Sequence, residues 1–256
     1  MSDIRILNLN KKSLLNKEYD INKIKDYLKE NLYSLFNVTL ISCDLVITDN
    51  QIDELKAEII GYDDTYKLVI FEIRKDKYSY LIKKGLFILD YIKNHFNIVR
   101  YKIEPFISKD ALKEIDSAAR LVIIGEDFSI EDNKAIDQKP YEIDLVKCNL
   151  YGDNLLIEKS YQSYTQNLKQ STLDSHKDKK LITSFNEDIL SLGSDITSSV
   201  NGSIITYRRI KTFLIIFLGN DVSCFIKDNT SLKEYKLTTD TSLEILEIVK
   251  KIYEES

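Results

Sequence analysis

Tryptophan is absent from the 256 residues, and proline (2) and glycine (7) are scarce. A chain so poor in turn formers and helix breakers is neither a loop-rich scaffold nor a disordered one. Histidine is nearly missing as well. His95 and His176 alone leave no basis for a histidine zinc centre or a Ser-His-Asp triad. Cys43, Cys148 and Cys224 are odd in number, far apart and without C-x-x-C spacing. They read as free buried thiols in a reducing compartment, not as zinc ligands. The start, MSDIRILNLN, has no apolar signal core, and the longest strongly apolar run is Phe213 to Leu218, far short of the roughly 20 residues a membrane helix needs. These absences predict a cytoplasmic protein with no membrane contact. No GxxxxGK loop is present to cradle a nucleotide phosphate.

What is present is ordinary for a globular protein: 43% hydrophobic and 30% charged residues. The length suits one large core or two modest ones. A formal net charge of -5 argues against a broad grip on duplex DNA, where phosphate neutralisation supplies much of the affinity. Nucleic acid would have to meet a local basic patch.

Along the chain, Ile4 to Leu9 reads as a short strand. Ile21 to Phe36 places Ile24, Leu28, Leu32 and Leu35 at helical spacing behind Asp20 as N-cap. Val38 to Val46 is β-rich. Leu55 to Gly61 and Lys67 to Ile73 read as two strands around a turn at Asp63-Asp64-Thr65, the second nearly continuous in apolar residues, as in a strand covered on both faces. A helix follows over Tyr78 to His95, then a buried strand at Leu121 to Gly125. Glu142 to Val146 and Asn154 to Ile157 form a closing pair. The alternation predicts an α/β unit, a mixed sheet with flanking helices, over residues 1–159. Lys159 to Lys180 is polar and gives a linker over 160–179. A small α+β domain over 180–256 holds a helix (Leu181 to Leu192), three strands (Ile204 to Arg209, Phe213 to Leu218, Val222 to Lys227), a fourth near Tyr235, and a final helix from Ser242 to Tyr253.

The chemistry concentrates between Glu58 and Tyr91. Glu58 lies on the first strand of the hairpin, and fourteen positions later Glu72-Ile73-Arg74 lies on the second. Period-two alternation puts Glu72 and Arg74 on one face, and the hairpin brings Glu58 beside them. Two carboxylates and a cation at the end of a sheet suit a hard divalent cation and a phosphate. An acid-x-base pair at a strand end also occurs as a plain solvated ion pair. Arg74, Lys75, Lys77, Lys83 and Lys84, interleaved with Tyr78 and Tyr80, form a basic and aromatic cluster suited to single-stranded nucleic acid. The same residues also suit a solvated strand-to-helix connection.

The order strand, turn, strand ending in E-x-R, polar gap and amphipathic helix KKGLFILDYI resembles the PD-(D/E)xK nuclease superfamily. More closely, the chain is similar to an uncharacterised bacterial and archaeal family related to NucS-type endonucleases, which pairs such a domain with an accessory domain of unknown function. The resemblance starts at MSDIRIL and runs through ENLYSLFNVTLIS, GYDDTYKLVIFEIRK, ARLVIIGEDFSIEDNKAI and IDLVKCNLYGDNLLIE. It ends in FNEDILSLGSDI, ITYRRIKTF and KKIYEES. It implies a restriction-endonuclease-like sheet in the first domain. It also implies a site holding Mg²⁺ or Mn²⁺ through Glu58 and Glu72, with Arg74 or Lys84 as the charged catalytic group.

The match departs from the family where the chemistry would occur. Glu58 stands for the metal-binding aspartate and Arg74 for the lysine of E-x-K. Lys84-Gly85-Leu86-Phe87-Ile88 replaces Q-x-x-x-Y, and Tyr33 takes the place of an acid on the first helix. A Gly- and Trp-containing stretch of the accessory domain is missing before Leu232. Glutamate adds a methylene to a ligand set in which Mg²⁺ demands near-octahedral geometry, and arginine cannot give up a proton at any useful pH. The departures predict a non-catalytic or weakly active nuclease fold that binds nucleic acid or a protein partner and needs no metal. The alternative is a metal-dependent DNA endonuclease with a rearranged site, in which Lys84 on the helix replaces the strand lysine. A lysine there also suits a solvent-facing helix position. Gly125-Glu126-Asp127-Phe128 matches a strand-end segment of the family and reads as structural. Tyr207-Arg208-Arg209-Ile210-Lys211 reads as a turn between two strands.

Overall fold

A computed structural model describes residues 7–8, 13–14, 17–48, 55–74, 81–137, 141–152, 154–162, 176–193, 195–201, 203–227 and 231–255. The chain divides into two compact units, Met1–Ser163 and Tyr164–Ser256. Among the described residues no helix is long and apolar enough to cross a membrane.

In the first unit, two short strands, β1 (Leu7–Asn8) and β2 (Ser13–Leu14), pair with each other. Of the strand expected over Ile4 to Leu9, only these two residues of β1 fall within the described part. Helix α1 (Ile21–Phe36) begins where Asp20 accepts the backbone N–H groups of Asn22 and Lys23, and ends at Asn37 in the left-handed region (φ 55). Its buried stripe is Ile24, Leu28, Leu32 and Phe36, one i+4 row along the helix.

The sheet contains, among the described residues, β3 (Lys17–Glu18), β4 (Val38–Val46), β5 (Lys56–Asp63), β6 (Leu68–Ile73), β7 (Ala119–Gly125), β8 (Glu142–Tyr151) and β9 (Asn154–Gln162). Strands β4, β5 and β6 form an antiparallel meander, β6, β7 and β8 run parallel, and β9 returns antiparallel to β8. β3 pairs with Tyr151 and Leu150. Because β9 occupies the other edge of β8 there, β3 continues the line that β7 leaves at Lys147. β9 carries the sheet three residues beyond Lys159.

Helices α2 (Leu81–Asn94), α3 (Phe96–Ile103), α4 (Lys109–Glu114) and α5 (Ile130–Asp137) follow β6 and β7, with a 3-10 turn at Glu104–Phe106. The sequence reading anticipated only α2 among these. Ile88, Leu89 and Ile92 of α2 share a core with Ile70, Leu121, Ile123, Ile143 and Leu145 on one sheet face. Phe36 of α1 meets Phe71 edge-on, with ring centroids 5.0 Å apart. Phe71 and Ile70 are adjacent on β6, so α1 and α2 cover opposite faces.

A buried ionic group closes the sheet at the amino ends of β6 and β7. Asp63 Oδ1 accepts the N–H groups of Thr65 and Lys67 and the Thr65 hydroxyl, making the turn. Fully buried Arg120 lies 3.0 Å from Asp144 and 3.7 Å from Asp63, and Lys67 Nζ lies 2.7 Å from Glu142. Asp63 is therefore a turn and network residue.

The second unit has α6 (Lys179–Ser191), a five-strand antiparallel meander and α7 (Ser242–Glu255). The strands are β10 (Thr197–Asn201), β11 (Ile204–Arg208), β12 (Thr212–Leu218), β13 (Val222–Lys227) and β14 (Leu232–Lys236). Ile182, Phe185 and Ile189 of α6 and Ile245 and Val249 of α7 pack with Ile205, Tyr207, Leu214, Ile216 and Cys224. Arg209 in the β11–β12 turn holds Asp195 at 2.6 Å and lies 4.8 Å over the Tyr253 ring. Tyr253 in turn donates its hydroxyl to Asp195. That clamp fixes the end of α7, so this arginine-rich stretch is a structural turn.

Removing the cation from the closed end of the first unit leaves Asp63 and Asp144 buried without it. Arg120→Met should cost about 3–5 kcal/mol in urea unfolding followed on residues 1–163. A loss under about 1 kcal/mol would show that the network carries no weight.

Candidate functional site

The opposite end of the sheet holds the acids. Ile59 pairs with Phe71 in the β5–β6 ladder, so one step on Glu58 faces Glu72, with both side chains on the α2 face. The ladder gives way to side chains at this point. The Glu58 N–H donates to Glu72 Oε1 (3.3 Å), and the Ile73 N–H donates to Glu58 Oε2 (3.1 Å). Each carboxylate thus satisfies a backbone donor of the other strand. Glu72 is fully buried and Glu58 half-buried.

Lys84, in the first turn of α2, places Nζ 2.5 Å from Glu72 Oε2 with its side chain 32% exposed. It is not a solvent-facing helix lysine. The adjacent Gly85 explains how it gets there: a Cβ at that position would stand 2.2 Å from Leu121 Cδ2. Without a side chain the helix settles onto β7, and the lysine beside the glycine reaches β6. Burial pushes the Glu72 carboxyl up to about 7, and the facing Glu58 adds to the rise. The Lys84 ammonium only partly offsets it.

Arg74 goes elsewhere. Its guanidinium meets both oxygens of Asp132, at 2.8 and 3.2 Å, and lies 5.6 Å over the Phe128 ring. Asp132 also accepts from the Ser129 N–H and hydroxyl, while the Ser129 hydroxyl accepts the Asp132 N–H. This reciprocal cap starts α5. Burial raises the Asp132 carboxyl, but Arg74 and Ser129 outweigh it and hold the group below the usual range. Alternation places Arg74 on the same face as Glu72, yet it braces the β7–α5 loop instead of joining the acid pair.

Tyr19, just past β3, donates its hydroxyl to the Arg74 carbonyl at 2.7 Å. Burial pushes the phenol up most, and neighbouring Cys148, Glu126 and Glu58 push it further. Of the basic cluster, Lys83 is exposed on α2, whereas Lys75, Lys77, Tyr78 and Tyr80 lie outside the described residues. Tyr33 is exposed on α1, across the sheet from the acids, and takes no part. Sequence reasoning overlooked Tyr19 and Asp132. Only the Ser129-x-x-Asp132 spacing ahead of a helix signalled either of them.

Among the described residues one ammonium, that of Lys84, meets the acid pair, through Glu72. Both donors are oxygens, which suits a hard cation such as Mg²⁺ or Mn²⁺. Among the described residues no three His, Cys, Asp or Glu side chains are grouped to hold a metal. A cation bound by Glu58 and Glu72 would complete its shell with water and substrate oxygens, as Mg²⁺ commonly does.

Glu72 holds its proton more tightly folded than unfolded. Between about pH 4.5 and pH 7 the folded state therefore carries more protons, and stability falls as pH rises through that window. The full effect is about 3 kcal/mol. Unfolding followed against pH in EDTA should show this drop in the wild type and not in Glu72→Gln; identical profiles would contradict the placement of the charge. Compared with known proteins, the chain matches no family model, no curated protein and no solved structure, so the geometry of these residues carries the functional reading.

Proposed function

We propose that the first unit is a divalent-metal-dependent DNA endonuclease domain of PD-(D/E)xK type whose lysine has moved from the strand to the following helix. One observation carries the reading: Lys84 Nζ lies 2.5 Å from Glu72, which faces Glu58 across a hairpin. The element order supports it too, with a helix, an antiparallel three-strand meander, the helices α2 to α4 and then a parallel strand in succession.

Glu58 and Glu72 would hold Mg²⁺ or Mn²⁺, and the bound ion would supply polarisation of a phosphodiester and activation of water. Lys84 has three N–H donors. One binds Glu72, which orients the amine, and the others are available to a phosphate oxygen as negative charge builds on it. Burial of Glu72 keeps bulk water from screening that interaction. Arg74 acts as a brace for the β7–α5 loop.

The engagement of Arg74 by Asp132 favours a second reading, in which the fold binds nucleic acid or a protein without cutting. One experiment separates the two. Wild type incubated with single- and double-stranded DNA and Mn²⁺ should cleave. Lys84→Ala and Glu58→Ala should each lose about 10²-fold or more in rate. Absence of cleavage by the wild type, or full cleavage by Lys84→Ala, would overturn the nuclease reading.

A further inference from the structure

The parallel register carries the site sideways across the sheet. Glu72 is level with Ile123 and Leu145, and two pairs further on Gly125 is level with Lys147. Lys147 therefore shares the α2 face with Glu72. It lies at the same carboxyl end, on a strand about 10 Å from β6. Within β8, Ile143 to Val146 and Cys148 to Tyr151 are all buried, and Lys147 is the one opening between them.

The loop after β7 covers this end. Gly125 lets it do so: a Cβ there would meet the Phe128 ring at 2.9 Å, and that ring packs on the core of this face. Anchored by Phe128, the loop lays Asp127 on Lys147 at 2.7 Å and Asp132 on Arg74 at 2.8 Å. The two pairs differ in strength. Asp132 grips Arg74 with both oxygens and caps α5 as well. Lys147 is 15% exposed but Asp127 is 55% exposed, and its Oδ1 also accepts the Phe128 N–H, so water screens this pair more than the enclosed Asp132–Arg74 pair. A phosphate can displace Asp127 far more readily than Asp132.

We propose that Lys147 is a backbone-phosphate contact for a nucleic-acid strand entering the Glu58–Glu72–Lys84 site, and that Asp127 is the carboxylate standing in for that phosphate until the strand arrives. The inference rests on the nuclease reading of that site and assigns it a strand-binding residue. Lys147 and Lys84 mark two cationic points on the path of the strand across the sheet, while Arg74 stays with the loop.

The test is metal-free binding of a labelled oligothymidylate of about 16 nucleotides to the full chain in EDTA, across a salt series. Lys147→Gln should bind about fivefold more weakly, with a salt exponent smaller by about 0.7. Asp127→Asn should bind about threefold more tightly, because it keeps the loop while removing the competing charge. Wild-type affinity and salt exponent in both variants would overturn the proposal. Displacement of the strand by an equal concentration of pyrophosphate would overturn it too, by assigning Lys147 to small phosphate anions. Failure of the nuclease reading looks different: Mn²⁺-dependent cleavage is missing while these binding differences in EDTA remain.

Discussion

A carboxylate enclosed at the carboxyl end of a sheet strand and facing another carboxylate is a constraint the rest of the first unit must meet. Glu72 is fully buried, and like charges directly opposite each other on paired strands are destabilising. The fold answers in three ways. The two acids take backbone N–H groups from each other's strands. Lys84 is brought in from α2. The remaining cost is lowered by a proton that Glu72 keeps up to about pH 7. Gly85 belongs to the same solution, since a side chain there would hold α2 off Leu121 and draw Lys84 away. Burial of this kind costs stability, and an apolar residue would fill the place without that cost. Such expense is characteristic of sites where chemistry or binding is required.

The sheet separates its charges by role. At the amino ends of β6 and β7, Arg120 and Lys67 are matched by Asp63, Asp144 and Glu142 in a buried network. At the carboxyl ends, around Glu58 and Glu72, the cations among the described residues differ in commitment. Arg74 is tied twice over through Asp132, Lys84 is oriented by a single carboxylate, and Lys147 is covered by an exposed one. On the proposed reading Lys84 keeps Glu72 while it meets a phosphate, and Lys147 exchanges Asp127 for one.

Much of the first unit was legible in the sequence. The near-continuous KLVIFEI segment became the fully buried β6, Asp20 capped α1, and Asp63 made its turn. The pairing of Glu58 with Glu72 also followed from a hairpin with period-two alternation. The fate of Arg74 did not follow. Alternation gives a side chain its face, but its partner, Asp132, lies fifty-eight positions on, and no local pattern reports such a contact. Lys147 was hidden in the same way, since its place beside the site depends on the parallel crossovers to β7 and β8. Strand β10 was missed because Thr197, Ser198 and Ser199 are buried without being apolar. Helices α3 to α5 were missed because each is eight residues or fewer, too short to display a clear stripe.

The proposed function requires Glu58 and Glu72 to bind a divalent cation with Lys84 beside it. Calorimetric titration of Mn²⁺ into the wild type and into Glu72→Ala tests this without any choice of substrate. Saturable binding by the wild type that vanishes in the variant is the predicted result. No heat of binding in the wild type, or equal binding in both, would contradict the account and reduce the Glu72–Lys84 pair to a structural contact.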